Sequence, residues 1–125
     1  MNPVRGVAAD GRRWELRAAS DGITAVTPAG TVGEAHVTDR GDRVVVELWS
    51  AEPGVPAELT AQLVTAAFTS PAVRPKRPVL VCIPRRDGGL LAEARRHLRD
   101  ARARAAGVTC LIEGYIEDEV DAGER

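Results

Sequence analysis

The sequence predicts one domain of the α/β (α+β) class built on a mixed β-sheet, and three observations lead to that fold class. In the first half, apolar and polar residues alternate in short segments separated by glycine, aspartate and proline, as in strands joined by turns. In the second half, apolar residues recur at helical spacing in two segments. Between these segments, residues 78–84 (PVLVCIP) form a continuous apolar run, typical of a strand covered on both faces. A chain of 125 residues is long enough for a single hydrophobic core.

Four N-terminal strands are predicted from the alternation. They are residues 13–18 (RWELRA), 23–27 (ITAVT), 31–39 (TVGEAHVTD) and 43–50 (RVVVELWS). Short turns such as SDG at 20–22 and DRGD at 39–42 separate them, and strands joined by such turns pair antiparallel. The run of three valines at 44–46 indicates that the fourth strand lies near the centre of the sheet. The expected arrangement is a four-stranded antiparallel meander.

The rest of the chain is predicted to alternate helices with strands. The predicted elements are a helix at 56–69, a proline-rich linker at 70–78 (SPAVRPKRP), a strand at 79–83, a helix at 88–106 and a strand at 108–116. Pro56 suits the first turn of a helix because its missing N–H costs nothing there, and Gly107 is a typical helix end. Two consecutive strand–helix–strand connections predict that strands four, five and six run parallel.

The two ends of the chain are expected to lie outside the ordered core, which spans about residues 13–116. Residues 1–10 and the acidic residues 117–125 (EDEVDAGER) are predicted to be mobile. The N-terminal residues contain no apolar segment of the kind found in signal peptides. No apolar run approaches the length that spans a membrane, so we expect a cytoplasmic protein without membrane contacts.

Composition argues against two classes of function. The chain has 17 basic and 18 acidic residues and a formal net charge of −1, so it lacks the overall positive charge of a typical nucleic-acid-binding protein. Cys82 and Cys110 lie inside apolar runs and are expected to be free, buried thiols. A zinc site is not expected, because His36 and His97 lie in unrelated segments.

The element order resembles the core of the GNAT acetyltransferase superfamily over residues 13–116. Members of that family have an antiparallel meander and a splayed central strand, followed by helix, strand, helix and strand. The resemblance implies an acyl-CoA-dependent N-acyltransferase. In that family, a loop directly after the fourth strand binds the coenzyme A pyrophosphate. Its pattern is Gln or Arg, two residues, Gly, one residue, then Gly or Ala, and its backbone amides point at the phosphates.

The corresponding loop here, AEPGVP at 51–56, departs from that pattern. Gly54 is in place, but Ala51 stands at the Gln/Arg position and Pro56 at the final Gly/Ala position. Pro53 and Pro56 have no N–H to donate, and Glu52 adds a negative charge where the pyrophosphate would lie. Acetyl-CoA is therefore not expected as a cofactor.

Two further departures indicate a degenerate or truncated member. The resemblance implies a tyrosine acid near the end of the second helix, but the matching residues, RARAAGV at 102–108, contain none, and Tyr115 lies on the next strand. Family members usually continue into a further strand, whereas this sequence predicts none. A sheet with an incomplete edge invites pairing with a second copy, so we expect a homodimer, and another protein partner is possible.

The sequence RRDGG at 85–89 offers a candidate anion-binding site. In one interpretation, the amides of Gly88 and Gly89 hold an anion at the start of a helix, assisted by Arg85 and Arg86. In the other, which we favour, Asp87 caps the helix and its carboxylate already occupies those amides. The pattern is neither a dinucleotide fingerprint nor a P-loop, since it lacks a third glycine and a following Lys-Ser/Thr.

A second candidate site combines residues of the third and fourth strands. His36 and Glu34 share a face of the third strand, and Glu47 and Trp49 share a face of the fourth. If these strands pair, His36 and Glu47 form a possible acid/base pair, although an exposed sheet face would show the same alternation. Arginines at 95, 99 and 102 line one face of the predicted second helix, and we interpret them as its solvated side.

Two hypotheses for function follow. The first is a non-catalytic GNAT-like domain that acts through protein–protein contact, as a homodimer. The alternative is an acyl-CoA-dependent N-acyltransferase or small-ligand-binding domain that uses the cleft between strands 43–50 and 79–83. Its candidate residues are Glu47, His36, Arg85 and Arg86. The prolines and glutamate of AEPGVP favour the first.

Overall fold

A computed structural model describes residues 4–8, 11–51 and 55–116 of the chain. These residues form a mixed, mostly antiparallel sheet of eight strands and two helices, which confirms the predicted fold class. The strands are β1 (Val4–Val7), β2 (Arg13–Ala18), β3 (Gly22–Thr27), β4 (Gly30–Asp39), β5 (Val44–Ser50), β6 (Val79–Pro84), β7 (Leu98–Ala106) and β8 (Thr109–Ile116). The helices are α1 (Ala57–Phe68) and α2 (Gly88–Arg96). The strand order across the sheet is β1-β2-β3-β4-β5-β6-β8-β7.

The antiparallel meander is confirmed as β2 to β5, with each strand paired to the next. The structure adds β1, which pairs antiparallel with β2 and which the sequence analysis did not predict. The ordered core therefore begins before residue 13. Residues 1–3, 9–10 and 117–125, for which we predicted mobility, lie outside the described residues.

The prediction of parallel pairing is right for one crossover and wrong for the other. The connection through α1 places β6 parallel to β5, as predicted. The last strand, β8, pairs antiparallel with β6. The reason is that the chain leaves α2 into β7 and only then turns back, so β8 fits between β6 and β7.

The second helix is shorter than predicted, because it ends at Arg96 rather than at residue 106. His97 closes the helix and stacks its ring on Phe68 of α1, with ring centroids 5.1 Å apart and planes within 8°. Residues 98–106 form β7, where pairing with β8 overrides the helix-forming tendency of alanine and arginine. The segment DARARAA (100–106) in fact alternates charged and small side chains, as an edge strand can.

The terminal hairpin corrects three expectations. Gly107, with φ of 65°, does not end a helix but belongs to the two-residue turn that joins β7 to β8. Arg99 and Arg102 lie on β7 and only Arg95 on α2, so the predicted arginine face of a helix does not exist. Because two strands follow α2, the further strand that the sequence analysis expected to be missing is present.

Both helices pack on one face of the sheet, and the core lies between them and the strands. α1 contacts β3, β4 and β5, while α2 contacts β5, β6 and β7, and the two helices touch each other. Alternate residues of the central strands, such as Val44, Val46 and Val81, are fully buried under the helices. Within the described parts of the chain, neither helix has the length and apolar character that crossing a bilayer requires.

The opposite face of the sheet, which we call the open face, has no described helix on it. Its central side chains follow from the strand registers and are Glu34, His36, Val45, Glu47, Trp49, Leu80, Cys82, Leu111, Glu113 and Tyr115. A sheet layered on one side alone presents alternate residues to the surroundings, and here that set mixes apolar with charged side chains.

The proline-rich linker is held in place by one arginine. Arg77 donates to the carboxylate of Asp39 at the end of β4, to the carbonyl of Gly41 (3.0 Å) and to the carbonyl of Ala72 (3.3 Å). Hydrogen bonding from the Arg77 guanidinium and then from the Gly41 amide holds the pKa of Asp39 below its usual value. These bonds tie the linker to the turn that begins β5.

A glycine inside β8 provides a test of the terminal hairpin. A Cβ at Gly114 would lie 2.9 Å from the backbone oxygen of Arg99 and 3.2 Å from the Cβ of Leu98. We expect Gly114→Ala to lower the free energy of unfolding by about 1–2 kcal/mol, because backbone would have to move. Urea denaturation measures the change. Gly88→Ala is the matched control, since nothing lies within 4 Å of its added Cβ. Equal stability of the two variants would contradict the position of β7.

Candidate functional site

The two parallel strands at the centre of the sheet separate before they end. β5 and β6 pair from Val44–Val79 to Glu47–Cys82. Beyond that point, β5 stays paired with β4 as far as Ser50, and β6 stays paired with β8 as far as Pro84. An opening therefore forms between the ends of β5 and β6, at the place where the alternative hypothesis puts a ligand. The turn into α2 lies at this opening.

A buried carboxylate lies at this opening. Asp87 is the N-cap of α2, and its Oδ1 accepts the N–H of Leu90 at 3.1 Å. Its Oδ2 accepts the hydroxyl of Ser50, the last residue of β5. Asp87 and Ser50 are each 1% exposed. The carboxylate thus caps the helix and bridges the separated strands, which confirms the interpretation of Asp87 as a cap.

The other residues of RRDGG do not converge on the helix start. Arg85, Arg86, Gly88 and Gly89 are all exposed. Arg85 donates through a guanidinium nitrogen to the carbonyl of Gly107 at 3.0 Å, which joins this turn to the β7–β8 turn. An anion at the first amides of α2 would have to displace the carboxylate of the cap, so the geometry opposes an anion cradle here.

The structure brings His36 and Glu47 directly opposite each other on β4 and β5. The imidazole Nε2, however, lies 3.4 Å from Glu34 Oε1 on its own strand. The same Glu34 oxygen accepts the indole N–H of Trp49 at 3.1 Å. His36 and Glu47 are exposed on the open face rather than enclosed in a pocket. The arrangement is therefore a polar row on a sheet surface, which resembles a cross-strand pair more than an acid/base site.

Cys82 extends this row, because it lies beside Glu47 on the parallel neighbour β6. Burial raises the pKa of the Cys82 thiol, and the negative charge of Glu47 raises it further. A thiol with a raised pKa stays protonated at neutral pH and is a poor nucleophile. Both cysteines are free and half-buried, less buried than the sequence analysis expected.

The structure describes only part of the loop that corresponds to the family's pyrophosphate site. Residues 52–54, which include Pro53 and the matching Gly54, lie outside the described residues. Pro56 is the N-cap of α1 and provides no side-chain hydrogen bond to the helix. A small cavity of ≈ 140 Å³ lies at this helix start, lined in part by Arg12, Arg13 and Ala51. The described groups around it include no carboxylate.

A second cavity, larger than this one, was not predicted from the sequence. It is a groove of ≈ 1080 Å³ between α1 and the turn that joins β2 to β3. Small and apolar side chains line much of it, among them Ala18, Ile23, Ala61 and Ala66, with Asp21 at the turn. None of the predicted site residues lines the groove. It arises from the spacing between a helix and a hairpin distant in sequence, and no local pattern signals such spacing.

The end of α2 also bears on chemistry. The resemblance implies a tyrosine acid near the end of the second helix. That helix ends near Arg96 and His97 rather than at residues 102–108, and no tyrosine lies at its end. The His97 ring lies between Phe68 and Glu93, with its Nε2 3.7 Å from Glu93 Oε2. Among the described residues, no group of three histidine, cysteine or acidic side chains is placed to hold a metal ion.

Comparisons with known proteins give a fold-level likeness alone. No protein-family model matches the sequence. No protein of curated function matches it either. Among solved structures, the chain is similar to a "putative acetyltransferase" from Sphaerobacter thermophilus, at 19% sequence identity and a TM-score of 0.47. That similarity covers 93% of this chain and 80% of the other.

Proposed function

We propose that this chain is a non-catalytic domain with a GNAT-like arrangement of strands and helices, and that it acts through protein–protein contact as a homodimer. The observation that carries the non-catalytic half of the proposal is the buried Ser50–Asp87 hydrogen bond. It links the end of β5 to the turn after β6 across the opening, where the alternative hypothesis places an acyl-CoA. The absence of a tyrosine at the described end of α2 and the exposure of His36 and Glu47 support the same conclusion.

The surface that best suits a second copy is the open face. Five apolar side chains lie on this face on β5, β6 and β8, with Glu47 and Glu113 among them, and we call the five the apolar patch: Val45, Trp49, Leu80, Leu111 and Tyr115. Leu80 is buried and the others are half-buried, although no described element covers them. Charges of both signs border the patch, including the Arg43–Glu113 pair at 3.6 Å. Because the charges are of both signs, positive side chains of one copy can lie opposite negative side chains of the second copy across a two-fold axis.

A thermal-shift titration tests the non-catalytic half. We expect no change in melting temperature with acetyl-CoA, because Pro53 and Pro56 offer no N–H and Glu52 adds a negative charge in the loop where the resemblance places the pyrophosphate. A ligand present at 100 times its Kd would stabilise the folded state by about 2.7 kcal/mol and would be visible as a rise of several degrees. Such a rise with acetyl-CoA, and not with sulfate, would favour the alternative of an N-acyltransferase or small-ligand-binding domain, which the separation of β5 from β6 supports.

Sedimentation of a charge variant tests the homodimer. We expect a dimer at high micromolar concentration and, for Leu111→Glu, a dissociation constant raised at least tenfold, since a buried unpaired carboxylate costs more than 1.4 kcal/mol. The matched control is Arg17→Glu, an exposed position on the open face on β2, three strands from β5. A monomeric wild-type chain at that concentration would remove the homodimer from the proposal.

A further inference from the structure

β7 is one edge of the sheet and has a free side. It pairs with β8 on one side, and no described strand or helix pairs with the other. The strand is nine residues long, and a bulge interrupts its pairing with β8 between Arg99 and Arg102, where Asp100 has a φ of 55°. From Arg102 to Ala106 the register is regular, so the free N–H and C=O groups there point outward in turn. Free edges of this length are unusual, because they attract other strands.

Three arginines stand in a row on this edge strand. Arg99, Arg102 and Arg104 lie opposite Tyr115, Glu113 and Leu111, so all three belong to the open face. All three are exposed. Among the described residues, none forms a hydrogen bond or ion pair with the side chain of any of the three. Glu113, which lies opposite Arg102, pairs with Arg43 instead. Arg102 and Arg104 are thus two positive charges at strand spacing beside a free backbone edge, and Arg99 lies beyond the bulge.

The other face of β7 leaves space for a neighbour. Ala103 and Ala105 carry small side chains there, in contrast to the arginines on the open face. A strand placed alongside would therefore meet little steric obstruction on one face and the arginines on the other. Cross-strand pairs of opposite charge stabilise a sheet, whereas like charges directly opposite destabilise it.

These features select the chemistry of the partner. A second β7 would bring arginine against arginine, so this edge does not suit self-association. A nucleic acid would neutralise the arginines but could not use both the N–H and the C=O groups of the edge. Only an extended peptide satisfies both kinds of backbone group, and only an acidic one complements the row.

We propose that β7 binds an extended acidic segment of a partner protein, which adds to the sheet as an outer strand. Carboxylates at alternate positions of that segment pair with Arg102 and Arg104, which lie two residues apart on the regular part of β7. The inference extends the proposed role in protein contact, but it uses a different surface from the apolar patch. If the chain proves monomeric, the peptide-binding proposal still stands. If the chain binds no acidic peptide, the homodimer proposal still stands.

Fluorescence anisotropy with a labelled peptide tests the proposal. The probe is a nine-residue peptide of alternating glutamate and threonine, and we expect saturable binding that weakens as salt is added. Arg102→Glu combined with Arg104→Glu should weaken binding at least tenfold. The control, Arg40→Glu combined with Arg74→Glu, changes exposed arginines away from β7 and should stay within twofold. Glutamine at 102 and 104, with far-UV circular dichroism as a folding check, should give an intermediate affinity.

Two further probes separate strand pairing from simple charge attraction. The same peptide with alternate backbone nitrogens methylated keeps its charge but loses N–H donors, and we expect it to bind at least tenfold more weakly. Equal binding of the methylated peptide would overturn the proposal. So would tighter binding of a single-stranded DNA than of the peptide, or no peptide binding at about 1 mM, the weak end of specific recognition.

Discussion

Replacing Asp87 by alanine is expected to lower the free energy of unfolding by about 2–4 kcal/mol. Loss of the helix cap, in which Asp87 accepts the Leu90 N–H, accounts for about 1 kcal/mol. Loss of the charged acceptor for the buried Ser50 hydroxyl accounts for about 1–3 kcal/mol more. Urea denaturation followed by tryptophan fluorescence measures the change, since both tryptophans are in the sheet.

Matched variants separate the two contributions. Asp87→Asn keeps an oxygen for the Leu90 N–H and an amide that can donate to Ser50, so we expect a smaller loss of about 1 kcal/mol. A double-mutant cycle with Ser50→Ala measures the coupling between the two side chains, expected to be about 1–2 kcal/mol. Asp42→Ala changes an exposed aspartate in a turn and should stay within about 0.5 kcal/mol. A similarly small loss for Asp87→Ala would contradict the bridge between β5 and α2.

The outcome bears on function as well as stability. If Asp87 contributes this much to the free energy of unfolding, a ligand in the opening between β5 and β6 must either leave the carboxylate in place or offset the stability lost when it moves. Acyl-CoA carries several negative charges, which a buried aspartate at the site would repel. A large effect of Asp87→Ala, together with no response to acetyl-CoA, would therefore support the non-catalytic proposal on two independent measurements.

The sequence predicts the regular parts of this fold well because their signals are local. Alternation over residues 13–18 and 31–39 reports which side of a strand is buried, and the apolar run at 79–83 reports burial on both sides. Asp87 followed by two glycines is likewise a local cap signal, and the structure confirms it.

The predictions that were wrong concern segments whose structure depends on partners distant in sequence. Residues 98–106 have helix-forming composition, and only pairing with β8 makes them a strand. The same holds for the hydrogen bond from Ser50 to Asp87, which joins residues 37 positions apart. Glu34 is a third case: it takes both the His36 and the Trp49 contacts, whereas the sequence pattern suggested that His36 would interact with Glu47. A pattern within one segment does not show which segment will lie beside it.

Phe68→Ala is expected to have the largest effect of the variants described, lowering the free energy of unfolding by about 3–5 kcal/mol. Phe68 is the last residue of α1, is 7% exposed and stacks on His97 just where α2 ends. The contact fixes the corner at which the chain leaves α2 and enters β7. Removing the ring leaves a cavity at that corner in addition to the loss of buried apolar surface.

Phe68→Leu is the matched control, because it keeps most of the apolar volume but removes the ring. We expect it to cost about 1–2 kcal/mol, of which the stack accounts for about 0.5–1.5 kcal/mol. Hydrogen exchange should show faster opening of β7 in Phe68→Ala than in Phe68→Leu, since the corner holds the start of that strand. If both variants were as stable as the wild type, the Phe68–His97 stack could not be the contact that ends α2. Pairing of β7 with β8 alone would then be the tertiary contact that ends α2 at Arg96.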